Sequence, residues 1–202
     1  MQTDRKARRE LNHDIHPRPS GRPATSDLHP SPDGIGRGSS PAAEAVSDAL
    51  RRGAGSFLDQ RRRTAAFTLT SMAALGAVAA YQFGLIRHLP EPPLPMLDAD
   101  RVDAAGEAYE QLHTPDAALG LASAAVTLVL AGMGGPDRHR TRRWIPVVLA
   151  AKAASDALGG AFLTVEQASK HRRFCGYCLV SAAANFAAAS QTIAEARAAL
   201  RS

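Results

Sequence analysis

The sequence is poor in aromatic residues and in cysteine. Phe, Tyr and Trp make up only 5% of the 202 residues, whereas about 40 residues are alanine. A soluble core of large, interdigitating side chains is hard to assemble from this composition. The sequence has two cysteines in all, so it lacks the second cysteine pair that a four-cysteine zinc site requires.

The overall charge and hydropathy average over two different parts of the chain. A net charge of +5 would suit a nucleic-acid binder, and a mean hydropathy of -0.17 argues against a membrane protein. Residues 1–63, however, contain 12 basic and 8 acidic side chains, so most of the positive charge lies there. The two parts of the chain therefore have to be interpreted separately.

The first part is polar. Residues 1–60 are rich in Pro, Gly, Ser and Arg and have no hydrophobic period, which predicts a disordered basic tail. Residues 42–58 favour a transient amphipathic helix within it. The first long apolar run begins only after residue 63, so the tail does not resemble a signal peptide.

Four apolar segments follow the tail. Residues 64–86, 117–135 and 174–193 contain no charged side chain, and residues 144–164 contain one Lys and one Asp. At 1.5 Å per residue, a helix of about 20 residues crosses a hydrocarbon core of about 30 Å. The sequence therefore predicts an all-α fold, a transmembrane bundle of four helices. The rival interpretation is a soluble, alanine-rich, basic bundle that binds anionic polymers.

Small residues and one charge pair suggest how these helices pack. Gly120 and Ala124 are four residues apart, as are Ala184 and Ala188, which lets helix backbones approach closely within lipid. Lys152 and Asp156 share one helix face and can form an ion pair. We expect the pair to face the inside of the bundle.

The charges of the connections predict the orientation in the membrane. Residues 87–116 carry a net charge of about -5, residues 135–143 carry about +3, and residues 61–63 are all arginine. The positive-inside rule then places both termini in the cytoplasm and residues 87–116 outside. The basic side chains of residues 170–173 lie on the outer side and oppose this assignment. We expect a multi-pass inner-membrane protein in contact with lipid, without a nucleic-acid partner.

The two cysteines form a C-x-x-C motif at the start of the last apolar segment. Cys175 and Cys178 are within reach of each other across one helical turn, which allows a reducible disulfide. The helix amino terminus and the basic residues 170–173 favour a thiolate. On the predicted orientation the pair lies at the outer face, where disulfide exchange takes place.

Two other interpretations of the cysteines remain open. They could be inert small apolar residues, or they could supply half of a zinc site completed by His88, His113 or His171. Redox chemistry is the interpretation that we adopt, and we expect no metal site.

The order of the motifs resembles the vitamin K epoxide reductase family over about residues 64–195. Four features carry the resemblance: the four spans, the long outer loop, the motif P-D-A-A-L-G-L at the start of the second span (residues 115–121) and the motif F-C-x-Y-C at the start of the fourth. The resemblance implies a four-helix membrane bundle that holds a quinone of the ubiquinone or menaquinone type beside the C-x-x-C motif.

The resemblance also implies roles for individual residues. Cys178 would face the quinone, and Cys175 would exchange with an incoming thiol or disulfide. Asp116 stands where family members commonly have an asparagine that donates a hydrogen bond to the quinone, so it would have to be protonated to do the same. Asn185 matches another family position, and we assign it no role beyond packing. From helical adjacency to the cysteines, we expect three further residues to line the quinone pocket: Phe174, Tyr177 and Ser181.

The departures from the family pattern define the predicted function. The outer loop lacks the two cysteines that relay electrons in typical members, and no thioredoxin-like domain follows the last span. We therefore predict a membrane thiol-disulfide oxidoreductase that receives electrons from a separate thioredoxin-fold dithiol protein and passes them to a quinone. The alternative is a membrane protein without turnover, whose cysteine pair senses redox state.

Overall fold

The computed structural model describes residues 40–202, and this part of the chain is helical. Its only β-type contact is a single bridge between Leu97 and Phe174. The all-α prediction is therefore confirmed for these residues. They form seven α-helices: α1 (Pro41–Arg52), α2 (Leu58–Gln82), α3 (Ala99–Asp103), α4 (Asp116–Gly132), α5 (Arg138–Thr141), α6 (Trp144–Glu166) and α7 (Gly176–Arg201).

Part of the segment predicted as a disordered tail is helical. Helix α1 begins after Ser40, whose hydroxyl oxygen accepts a hydrogen bond from the amide of Ala43, and Pro41 occupies its first turn. At its other end, the Arg62 side chain donates to the carbonyls of Ala49, Leu50 and Gly53. The structure has a helix where residues 42–58 are predicted to favour one, and capping at both ends explains why it forms. Residues 1–39 of the predicted tail lie outside the described residues.

The four long helices form a closed bundle. Helix α7 packs extensively against α6 and α2, and α2 also packs against α4, whereas α4 and α6 contact each other much less. Glycines permit the closest approaches: a Cβ atom on Gly160 would lie 3.1 Å from the Ala182 backbone, and one on Gly120 would lie 3.0 Å from Leu75. The weaker contact between α4 and α6 leaves space on that side of the bundle.

Two of the helices are long and apolar enough to cross a membrane. They are α2 and the helical segment Trp144–His171, which includes α6, while α4 is apolar but shorter. Large apolar side chains are nevertheless exposed on all four long helices, for example Leu69, Val129, Leu158 and Phe186. Exposed apolar surface on every side of a bundle is typical of a protein embedded in lipid.

The helix ends differ from the ends of the uncharged runs. Helix α2 stops at Gln82, four residues before the predicted end, because Gly84 adopts a left-handed conformation with φ of 73°. Helix α7 continues from Gly176 to Arg201, well beyond the predicted end at residue 193. Its charged last turns remain helical because they pack within the bundle, where Glu195 is buried.

Arginine side chains join the helices at one end of the bundle, which we call the arginine end. The buried Arg138 side chain donates to both carboxylate oxygens of Glu195 and to the carbonyls of Leu130 and Met133. Arg61 at the start of α2 donates to five successive carbonyls, those of residues 131–135. These bonds satisfy carbonyl groups that the carboxyl end of α4 leaves without a partner inside its own helix.

Lys152 and Asp156 of α6 form the expected ion pair, which lies where α6 faces α4. The lysine Nζ atom is 2.5 Å from the Asp156 carboxylate and also donates to the Ser123 hydroxyl. Asp156 in turn accepts hydrogen bonds from Ser123 and Thr127. The pair is partly buried, and its polar partners on α4 compensate for its position in the middle of the helices.

The opposite end contains the cysteines and the long connection between α2 and α4, and we call it the cysteine end. The connection includes α3 and two short 3-10 helices, Gly106–Tyr109 and Gln111–His113. Helix α6 widens into a π-helical turn at Gln167–His171 and ends where Arg172 takes a left-handed conformation. The acidic connection and the C-x-x-C motif therefore share one end of the bundle.

Candidate functional site

The C-x-x-C motif lies at the first turn of α7. Cys175 is the N-cap residue, and its Sγ atom accepts a hydrogen bond of 3.2 Å from the amide of Cys178. The amide of Cys175 itself donates to the Gln167 side chain in the π-helical turn, at 3.1 Å. Both thiols are free. A thiol at this position lies where the helix amino terminus favours negative charge.

Asp103 at the end of α3 contacts the Cys178 thiol. The Sγ atom of Cys178 donates to Oδ1 of Asp103 over 3.5 Å, while the buried Oδ2 atom has no hydrogen-bond partner among the described residues. Burial raises the pKa of Asp103 to about 6, although the two thiols favour the charged form, and the carboxylates of Asp116 and Glu91 add to the increase. The Asp103 carboxylate is thus a proton-binding group beside a thiol.

A segment of the long connection covers Cys175, which has no exposed surface. The carboxylate of Glu91 accepts one hydrogen bond of 2.5 Å from the amide of Gly176 and another of 2.6 Å from the amide of Ala99. Phe174 is paired to the same segment through backbone bonds to Met96 and Asp98. Cys175 is therefore accessible only if this segment, residues 89–99, moves.

A cavity of about 310 Å³, the interhelical cavity, lies in the space between α4 and α6. Cys178 borders it, and apolar side chains such as Leu75, Val78 and Phe162 form much of its wall. Ser123 and Asp156, both of which contact Lys152, also line it. Other polar side chains in its lining are those of Gln111, Asp116, Ser155, Thr164, Gln167 and Ser181.

A second cavity of about 220 Å³, the acidic cavity, lies under the long connection. Asp103, Asp116 and Cys178 all border it, so Cys178 and Asp116 face both cavities. Its remaining charged or titratable lining residues are Glu107, Glu110, Glu166 and His171.

Gln82, the last residue of α2, positions the start of α4. Its side-chain amide donates to the Asp116 carboxylate at 2.7 Å and to the backbone carbonyl of Asp103 at 3.3 Å. Its side-chain oxygen accepts from the amide of Ala117. One glutamine therefore connects α2, α3 and α4 at the edge of both cavities.

The vitamin K epoxide reductase family model matches residues 62–193, about two thirds of the chain. The chain belongs to the vitamin K epoxide reductase family. This membership supports a thiol-disulfide and quinone oxidoreductase type of function in general, and proteins of the family are membrane-associated and use quinone or vitamin K substrates. No curated protein and no solved structure matches the chain.

This family member brings four of the six predicted site residues together. Cys175 and Cys178 are adjacent, and Cys178, Asp116 and Ser181 border the interhelical cavity. Ser181 lies deeper in the bundle, where its hydroxyl is 2.8 Å from that of Ser71.

The other two predicted pocket residues lie elsewhere. Phe174 is paired with the covering segment, and Tyr177 donates from its hydroxyl to the carbonyl of Pro90 and lines an open groove on the outer surface. Neither residue lines the interhelical or the acidic cavity. Successive residues of a helix are turned by about 100°, so Tyr177 faces away from Cys178, and a role of Phe174 and Tyr177 in a quinone pocket stays a prediction.

The zinc alternative gains little from the geometry of this family member. The donor atoms of Asp103, Cys175 and Cys178 lie within 4.8 Å of one another, but a structural zinc site takes four protein ligands. Within residues 40–202, none of the three candidate histidines belongs to this group. His88 is instead paired with Asp100.

The sequence prediction missed several residues of the site. Asp103 and Glu91 were counted only as part of an acidic loop, and Gln82 and Gln167 were not singled out. One available signal is Gln82, a polar residue near the end of the apolar run of residues 64–86. No sequence signal distinguishes Asp103 from the other acidic residues near it.

Proposed function

We propose that this chain is a membrane thiol-quinone oxidoreductase that binds a quinone in the interhelical cavity. The observation that carries the proposal is the position of Cys178, which borders this cavity and lies directly beside Cys175. A pair of thiols next to an apolar cavity can lose two electrons to a bound quinone and form a disulfide.

The cavity suits the head group of a quinone. Its volume of about 310 Å³ lies within the range of small-molecule sites. The wall is mostly apolar, and Asp116, Gln111 and Gln167 lie near Cys178 as possible partners for a quinone carbonyl. A glutamine amide donates in any state, whereas Asp116 donates only when protonated. Ubiquinone and menaquinone types both meet these requirements.

The reaction requires a separate source of electrons. The sequence contains no cysteine other than Cys175 and Cys178, so no internal relay is available. A dithiol protein of the thioredoxin fold would attack the Cys175–Cys178 disulfide, form a mixed disulfide with Cys175 and leave as a disulfide. The reduced pair would then pass two electrons and two protons to the quinone, which leaves as quinol.

We further propose that all four long helices cross the inner membrane with the cysteine end outside. The acidic connection lies at the cysteine end, and the arginines of α2 and α5 lie at the other end, which agrees with the positive-inside rule. Both termini would then lie in the cytoplasm. An accessibility assay on intact cells tests the orientation: in a Cys175→Ser and Cys178→Ser background, Leu112→Cys at an exposed position of the long connection reacts with a membrane-impermeant thiol reagent only if the cysteine end is outside.

The test of the catalytic proposal is quinone reduction by the purified full-length protein in liposomes. A reduced dithiol is the donor and a short-chain ubiquinone or menaquinone analogue is the acceptor. We expect reduction by the wild type and none by Cys175→Ser or Cys178→Ser. Ala183→Ser places the same side chain on the exposed face of α7 and serves as the matched control. Reduction that survives removal of both cysteines contradicts the proposal.

A redox sensor without turnover is the second candidate, and the complete burial of Cys175 favours it. A sensor would form its disulfide on oxidation without passing electrons onward. If the wild type binds the quinone analogue but does not reduce it with any dithiol donor, the sensor replaces the oxidoreductase as the better assignment.

A further inference from the structure

We propose that Asp103 is the catalytic base that accepts the proton of Cys178 when the thiol pair is oxidised, an inference that rests on the proposed function. The carboxylate contacts the reacting sulfur directly, since Sγ of Cys178 donates to its Oδ1 atom. Thiols react as thiolates, so a proton must leave Cys178 before or during its reaction. Asp103 is the group in contact with that proton.

The second oxygen of Asp103 is free to take part. Oδ2 is buried and has no hydrogen-bond partner among the described residues, which is unusual for a carboxylate oxygen. The side chain as a whole is 2% exposed. A buried carboxylate with one oxygen on a thiol and the other unoccupied can bind a proton without first breaking another contact.

The backbone of Asp103 is held in place independently of its carboxylate. Its carbonyl accepts a hydrogen bond from the Gln82 side chain, and α3 is capped at its start by the carboxylate of Asp98. Gln82 also holds Asp116, so two of the five acidic residues that border the acidic cavity share one positioning residue. This arrangement places the base against the sulfur while its charge state changes.

The acidic cavity gives the proton a way out. Asp103 and Cys178 both border it, and its other walls come from the 3-10 helices of the long connection and from the end of α6. The cavity is large enough to contain water, and its carboxylates attract protons. A proton taken from Cys178 can therefore leave through the acidic cavity.

The electrons and protons of the step balance. The thiols of Cys175 and Cys178 lose two electrons and two protons as the sulfur-sulfur bond forms. The quinone gains two electrons and two protons and becomes quinol. The proton of Cys178 passes to Asp103 and then to water, the proton of Cys175 also leaves to water, and water supplies two protons to the reduced quinone. Asp103 ends the cycle ionised, as it began.

The groups around Asp103 determine the pH at which it works. Burial, together with the charges of Asp116 and Glu91, raises the pKa of Asp103 to about 6, against the effect of the neighbouring thiols. A base of this kind is mostly ionised at neutral pH and still holds a proton well enough to accept one. The titratable groups that face Asp103 come from four parts of the structure. They are Cys175 and Cys178 of α7, Asp116 of α4, the connection residues Glu91, Glu107 and Glu110, and Glu166 and His171 at the end of α6.

The first test is the pH profile of quinone reduction by the full-length protein in liposomes. We expect the wild-type turnover number to increase as pH rises through about 6, as Asp103 loses its proton. Asp103→Asn should lower turnover by about 100-fold and remove this ascending limb. Asp103→Glu should restore the limb. The control is Asp100→Asn, in the same short helix but in contact with His88 and Leu89, and it should keep the wild-type profile.

The second test does not depend on quinone reduction. In Cys175→Ser, alkylation of the remaining thiol by a small maleimide reports the ionisation of Cys178. We expect an inflection of the alkylation rate near pH 6 that Asp103→Asn removes, because the ionisation of Asp103 changes the proton affinity of the neighbouring thiol.

The two tests separate the failure of this proposal from the failure of the proposed function. A wild type that never reduces quinone refutes the oxidoreductase, whatever the alkylation profile shows. If the wild type is active, an Asp103→Asn variant with the wild-type pH profile overturns the role of Asp103. Superimposable alkylation profiles with and without the carboxylate overturn it in either case.

Discussion

Arg138 and Glu195 form a bidentate ion pair that is completely buried at the arginine end. The Nε and Nη2 atoms of Arg138 lie 2.7 and 2.6 Å from the two carboxylate oxygens of Glu195. Their side chains are 0% and 3% exposed. Because each charge is removed from water, each depends on the other, and on the carbonyls that Arg138 also contacts, for compensation.

We expect Glu195→Ala to lower the free energy of unfolding by about 3–5 kcal/mol, because it leaves a buried guanidinium without a counter-charge. The double variant Arg138→Met and Glu195→Leu should lose much less, since it leaves no isolated charge. Chemical unfolding in mixed micelles measures both. Lys170→Ala, which breaks an exposed pair with Glu166, is the control and should cost much less, because solvent screens that pair. A Glu195→Ala loss as small as that of the control would contradict the prediction.

Two adjacent glycines on α6 provide a matched test of helix packing. A methyl group on Gly160 would lie 3.1 Å from both the Cα and the Cβ atom of Ala182, whereas one on Gly159 would meet nothing within 4 Å. Gly160→Ala should therefore push α6 from α7 and destabilise the protein by about 1–3 kcal/mol. Gly159→Ala should be neutral or slightly stabilising, because alanine favours the helix. Equal thermal stabilities of the two variants in detergent would rule out this close approach.

The raised pKa of Asp103 predicts a specific dependence of stability on pH. The unfolded carboxyl ionises near 3.8, but the folded one holds its proton to about pH 6. The fold thus favours the protonated form, so this contribution to stability is complete below about pH 3.8 and is lost as pH rises through about 6. Relative to Asp103→Asn, the wild type should lose up to about 3 kcal/mol between pH 4 and pH 7. Parallel stability curves for the two proteins over this range would be the contrary result.

The covering segment predicts how Cys175 becomes reactive. Glu91→Gln removes the charge that accepts from the amides of Gly176 and Ala99, so the segment should open more often. In a Cys178→Ser background, we expect alkylation of Cys175 to be about tenfold faster, which corresponds to about 1.4 kcal/mol of lost contact energy. Glu110→Gln changes an exposed carboxylate of the same connection and should leave the rate unchanged. A rate that does not respond to Glu91→Gln would show that other contacts hold the segment closed.

The sequence predicted the presence of the long helices well and their ends poorly. Uncharged runs indicate where lipid can surround a helix, but helix ends depend on hydrogen bonding. Gly84 stops α2 inside an uncharged run, and α7 continues past Glu195 because that charge has a buried partner. The partner, Arg138, is 57 residues away in sequence, so no local pattern reports it.

The reactive part of the site could be predicted because cysteine is rare in this chain, whereas its surroundings could not. Cys175 and Cys178 are identified by spacing alone. Asp103 is one of several acidic residues in a loop whose net charge was read as a topology signal. Its contact with Cys178 arises from the folding of α3 against the start of α7, across 75 residues of sequence. Phe174 and Tyr177 show the opposite case, because closeness to the cysteines in sequence does not bring them to the two cavities that Cys178 borders.

The arginine end and the cysteine end of the bundle are held together by different contacts. At the arginine end, two guanidinium groups link the start of α2, the end of α4 and the last turns of α7 through buried bonds. At the cysteine end, Cys175 is covered by residues 89–99, whose contacts include the Glu91 carboxylate and a few backbone bonds. If the proposed dithiol partner displaces that segment, the buried bonds of the arginine end would keep the helices in place, so that both sulfurs return to the same positions when the partner departs.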